Sequence, residues 1–145
     1  MAATTPAAFD PKPRQLGVTI DCIAGAAILS GQAVVMQATG DSYSVIPCDS
    51  DTSKVEKFVG VAMHSQATTG GHVAVASIGS VIQVYESAGS GVDAGDDLMA
   101  GAAAGCVDTA TDGADTQLLG FALTDGAANG VFYCMVSPQY QPKGA

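Results

Sequence analysis

The side chains that could carry chemistry in this chain are two histidines, a run of acids on glycine-rich turns, and four cysteines. A general base needs a histidine beside a carboxylate or a nucleophile. His64 and His72 lie either side of the turn at Thr69-Gly70-Gly71, so they can face each other across a hairpin. Neither has a carboxylate beside it in sequence, and the reading is two surface histidines. No G-x-S-x-G elbow is present, so no serine hydrolase is indicated. Gly89-Ser90-Gly91-Val92-Asp93-Ala94-Gly95 misses the dinucleotide spacing and precedes no helix, so no phosphate loop is expected. Asp93, Asp96 and Asp97 share one turn, and Asp108, Asp112 and Asp115 another; hard cations take such oxygens. Neither run matches a Ca²⁺ loop, and solvated turns are the reading. Cys22, Cys48, Cys106 and Cys134 form no C-x-x-C pair and adjoin apolar residues, the habit of buried free thiols. The expectation is a protein without catalytic residues, metal or cofactor.

The elements that would position these residues are short strands. A phrase occurs twice. Ser30-Gly31-Gln32-Ala33-Val34-Val35-Met36 is followed by Phe58-Val59-Gly60-Val61-Ala62-Met63 and by Gly70-Gly71-His72-Val73-Ala74-Val75. Ala94-Gly95-Asp96-Asp97-Leu98-Met99 is followed by Leu118-Leu119-Gly120-Phe121-Ala122-Leu123 and by Asn129-Gly130-Val131-Phe132-Tyr133-Cys134. A period of about 60 residues is too long for a solenoid unit and implies a duplicated β-module within one domain. Strands are predicted over 16–20, 33–37, 43–46, 58–63, 72–77, 81–85, 97–100, 118–123 and 131–136, joined by Gly, Asn, Asp and Ser turns. Residues 24–29 and 101–105 have room for one helical turn each. The expected fold is all-β: a compact small β-barrel over 16–137, preceded by an extended arm over 1–15 and followed by a tail over 138–145.

The arm is marked by Pro6, Pro11 and Pro13, which forbid a helix. Phe9 is its large apolar side chain, flanked by Asp10, Lys12 and Arg14, and such an arm suits contact with a neighbour. The net charge is −9, and no Lys or Arg occurs between Lys57 and Lys143. An acidic face of that length repels phosphate backbones, so no nucleic-acid partner is expected. The apolar stretch 23–36 is broken by Gly25, Ser30, Gly31 and Gln32, and no membrane span is expected. The N-terminus has neither a cationic nor an apolar signal region, which points to synthesis and retention in the cytoplasm unless the chain leaves within a larger particle.

The repeated module, covering residues 16–137, resembles the small capsid decoration (cement) proteins of tailed bacteriophages and related viruses. The residues that carry the likeness are Gly31 to Met36 with Val59-Gly60-Val61-Ala62 and Gly71 to Val75, then Gly95 to Met99 with Leu119-Gly120-Phe121-Ala122 and Gly130 to Met135. The four cysteines and the long Thr39–Lys57 excursion depart from the pattern. The resemblance implies a β-barrel or β-tulip that forms a homotrimer at three-fold positions. It implies a place on the capsid exterior, where the protein bridges major capsid proteins and has no enzymatic activity. Phe9, Lys12 and Arg14 are then the expected capsid-contact residues, with basic ends docking onto acidic capsid surfaces or a sister subunit. The alternative is a virion-displayed β-sandwich that binds host-surface carbohydrate. Absence of Trp and the core-like spacing of Phe58, Phe121 and Phe132 weigh against it.

Overall fold

Alternating small and β-branched residues between glycine turns satisfy their backbone polar groups through sheet pairing, and the chain does so throughout. The computed structural model describes residues 8–37, 43–49, 57–87, 91–110 and 116–141 and has, among them, strands and no helix. The first five strands are β1 (Thr19–Ala24), β2 (Ala33–Met36), β3 (Ser44–Pro47), β4 (Phe58–Ala62) and β5 (His72–Ala76). They form a closed barrel in the order β1-β3-β2-β4-β5, sealed by a parallel β1–β3 pair. The next five are β6 (Val81–Tyr85), β7 (Asp97–Ala100), β8 (Val107–Thr109), β9 (Thr116–Ala122) and β10 (Val131–Gln141). These form a sheet in the order β6-β10-β9-β7-β8. The fold is thus all-β with a closed five-stranded barrel.

The pairing of the first five strands recurs in the second five, residue by residue. Val34 opposes Gly60 as Leu98 opposes Gly120. Met36 opposes Val45 as Ala100 opposes Val107. Val61 opposes Ala76 as Phe121 opposes Met135. Ile20 opposes Val75 as Ile82 opposes Cys134. Even the parallel seam has a counterpart, a single parallel bridge between Glu86 and Val107. The glycine shared by β4 and β9 has the same cause in both places. A β-carbon on Gly60 would collide with the Ala76 carbonyl oxygen, and one on Gly120 with that of Met135.

The core is in two parts. Cys22, Ala24, Ile28, Val34, Val45, Val73 and Val75 fill the barrel. A larger core joins Ile82, Val84, Leu98, Val107, Leu119 and Phe132 of the second sheet to Ala33, Val35, Phe58, Val61 and Ala76 from the outer side of the barrel.

The first strand lies later than the predicted 16–20. Residues 14–18 are drawn to the 77–81 segment instead: Arg14 N–H bonds the Val81 carbonyl, Val18 N–H that of Ile78, and Ser77 N–H that of Val18. β8 was not expected, because three residues after a glycine-rich run show no alternation. Where one helical turn each had room, residues 25–29 and 101–105 form bends, turns and a bridge, and Ala24 ends β1. β10 runs on to Gln141, with the Thr116 register, past Pro138; a ladder irregularity between Val136 and Gln139 accommodates the ring, which cannot donate.

Gly60→Ala is expected to lower unfolding free energy by about 1–3 kcal/mol, read from the urea midpoint, because the methyl must displace strand backbone. An unchanged midpoint would mean that β4 and β5 can separate freely.

Candidate functional site

The arm, from residue 8 where its description begins, lies on the chain's own body. Phe9 donates its N–H to the Ser30 carbonyl (3.2 Å), and its ring occupies the space beside Gly31 that a side chain there would need. Gly31 has φ +90°, which also favours glycine. Pro11 is buried. Lys12 N–H bonds the Gln83 side-chain oxygen (3.2 Å), Gln15 forms an antiparallel bridge with Val81, and Gly17 N–H bonds the Ser80 hydroxyl (3.0 Å). The Arg14 guanidinium sits 5.7 Å from the centre of the Tyr133 ring. An exposed cation–π contact of this kind is worth about 0.5–1 kcal/mol. The proline-marked arm was expected to need a neighbour to hold it. Instead it straps the edge of β6 to the Ser30-Gly31 turn, a use of edge pairing that also shields that edge. The side chains of Lys12 and Arg14 remain exposed on the strap.

Neither histidine ring is hydrogen-bonded to a hydroxyl or thiol among the described residues. His64 accepts the Ala74 N–H at Nε2 (3.0 Å), and its Nδ1 lies 3.1 Å from the Ser65 carbonyl, so Nδ1 carries the hydrogen when neutral. His72 pairs with Asp21 across β1 and β5 at 3.1 Å, both side chains 71% exposed. Sequence proximity could not show this carboxylate, because it arrives through strand register. A solvated pair without a third group or a cleft has nothing to activate.

The acids serve turns. Asp96 Oδ2 accepts the Asp93 N–H (2.9 Å) and the Thr109 hydroxyl (3.1 Å), while Asp125 accepts the Ala94 N–H (2.8 Å). Asp112 and Asp115 lie outside the described residues, as does Lys143. Among the described residues no group of three potential ligands could hold a metal. Burial pushes the Asp108 carboxyl upward; the Thr109 N–H opposes that shift and nearby Glu86 adds to it. Glu86 is itself buried, within hydrogen-bond reach of the Asn129 N–H (2.9 Å).

Among the described residues, one end of the barrel is uncovered. Ile20, Cys22, Met36, Tyr43, Phe58 and Val59 line a space of about 540 Å³, where Met36 is 38% and Tyr43 62% exposed. Sequence reading gave Phe58 a core-like spacing and Cys22 the habit of a buried thiol and singled out no site among these residues, because alternation marks which side chains point inward and not whether a barrel end is covered. A smaller groove of about 350 Å³ runs between the strap and the second sheet, lined by Arg14, Val81, Leu123 and Tyr133.

No family model matches the chain, and no curated protein matches it. Among solved structures it is similar to the head fiber gp8.5 N base of bacteriophage phi29, with a TM-score of 0.58 and 18% sequence identity. The likeness covers 83% of this chain and 93% of the other, so the fold is shared over nearly the whole of that base.

Two outcomes are expected. Phe9→Ala should cost about 1 kcal/mol, since the ring is half-buried, and should speed hydrogen exchange at Phe9 and Arg14 N–H groups. The four thiols are free and buried, and burial is the main cause raising Cys22 and Cys106 to about 11 and Cys134 to about 12, with Cys48 pushed higher still. Folding therefore binds thiol protons that the unfolded chain releases from about pH 9. In reductant, the thiols' contribution to stability should be level below pH 9 and fall above it, by about 1.4 kcal/mol per pH unit for each thiol, until the folded values are passed. A flat profile to pH 10.5 would contradict the burial of these thiols.

Proposed function

We propose that this protein is a structural component of a virus particle, seated on the exterior of a tailed-phage-like head, where it bridges neighbouring major capsid proteins and has no enzymatic activity. The observation that carries the reading is the shared fold with the base of a phage head fiber, over 93% of that base. Three features of the chain support it. The described residues offer turns and strand edges in place of a cleft holding base, acid and nucleophile. The body is acidic, while Lys12 and Arg14 stand exposed on one strap. The strap is fastened by a few backbone bonds and one half-buried ring, so its outer side is available as a contact strip. Symmetric copies on a shell would make each such contact multivalent, so that individually weak sites suffice.

The test is sedimentation of the chain with native particles on a density gradient. The expected result is co-migration in stoichiometric amount, with particles losing heat resistance when it is stripped. The Lys12→Glu, Arg14→Glu double variant should bind at least tenfold more weakly, because rim charges facing an acidic shell change sign. Wild-type chain that remains at the top of the gradient would overturn the role, and a positive glycan-binding screen would then favour the carbohydrate reading. Capsid binding untouched by the double reversal would remove Lys12 and Arg14 from the contact.

A further inference from the structure

We infer that the open barrel end of one copy docks on the outer face of the second sheet of another copy, head to tail. The chain's internal duplication shows what such an end packs against. In the second half, the counterparts of Ile20, Met36 and Val59 are Ile82, Ala100 and Leu119, and all three are buried. They share one core with Val35, Phe58 and Val61, which come from the outer side of the first barrel. Gly105, two residues before Val107 as Tyr43 is two before Val45, is bonded into that same seam. The Ala33 N–H bonds its carbonyl (2.8 Å), and its own N–H bonds the Cys48 carbonyl (2.7 Å). The second half's end is therefore capped by the first half's face, inside one chain.

What remains is one end and one face. The outer row that does the capping is Ala33–Val61–Ala76, fully buried. By the same register its counterpart is Asp97–Phe121–Met135, continued on β6 by Val81. Phe121, Met135 and Val81 are only half-buried and Asp97 is exposed. An apolar row thus lies half-exposed at one end of the tandem, and, among the described residues, an apolar barrel end lies uncovered at the other. Their charges complement each other as well, since Lys57 lines the barrel end and Asp97 flanks the row. The fit is heterologous: repeating it adds copies in one direction, into a ring if the rotation closes. It concerns the free chain and does not depend on the virion role.

The test uses the full-length chain in light scattering coupled to size exclusion. Wild type is expected to be a discrete multimer. Met36→Glu spoils the end and Phe121→Glu spoils the face, so each alone should be monomeric. Mixed, they should give a complex of two chains and no more, because one intact end meets one intact face. Exposed residues guard against misfolding of those variants. Lys57→Asp and Asp97→Lys should each weaken association about tenfold, and the two together should restore it. A wild-type chain that stays monomeric to its solubility limit overturns the inference, even if it binds particles. So does a multimer that none of these four variants changes.

Discussion

The row Ala33–Val61–Ala76 holds the molecule together. It lies on the outside of a barrel, where a five-stranded module standing alone would present it to water, and it is fully buried because the second sheet covers it. Small side chains in that row permit close approach, and Val35 and Phe58 beside them reach into the second core. A five-stranded module is too small to bury both its interior and an outer face alone, since the fraction of surface buried on folding rises with chain size. Joining two such modules, the end of one against the side of the other, gives the second half a core it would otherwise lack. The shared cluster, the seam at Gly105 and the four-residue passage 77–80 from β5 to β6 follow from that arrangement.

Within this frame, equivalent backbone groups are satisfied by unlike side chains. The Gln32 side-chain oxygen accepts the Leu29 N–H, as Asp96 accepts that of Asp93. Ser65 accepts the Ser30 N–H, as Asp125 accepts that of Ala94. His64 accepts the Ala74 N–H, as Thr124 accepts that of Tyr133. The position needs an acceptor at a given place, and amide, hydroxyl, imidazole or carboxylate all supply one. This gives His64 and the turn acids a structural occupation.

The arm is part of the same economy of exposed edges. β6 is the edge of the second sheet, and the strap bonds along its start before Phe9 settles beside Gly31 on the first half. It therefore ties the two halves together by a path outside the core. Its proline spacing prevents a helix and keeps the segment extended, which edge pairing requires. The proposed contact strip is then the outer side of a segment already ordered, so a partner that binds it has less chain entropy to offset.

The all-β class, most strand positions, free buried cysteines and the twice-used phrase were legible in the sequence, because they rest on local causes. Period-two alternation, glycine turns and thiols among apolar neighbours are written within a few residues. Gly60 and Gly120 were legible as matched positions, though the reason, a carbonyl from the paired strand, was not. The late start of β1, the added β8 and the run of β10 past Pro138 were not, since each depends on which distant strand supplies the partner. The same holds for the Asp21–His72 pair, for the self-held arm and for the open barrel end. Local pattern decides which side of a strand is apolar. Only the tertiary structure decides what covers that side, because coverage is a property of two surfaces and the second one is far away in the chain.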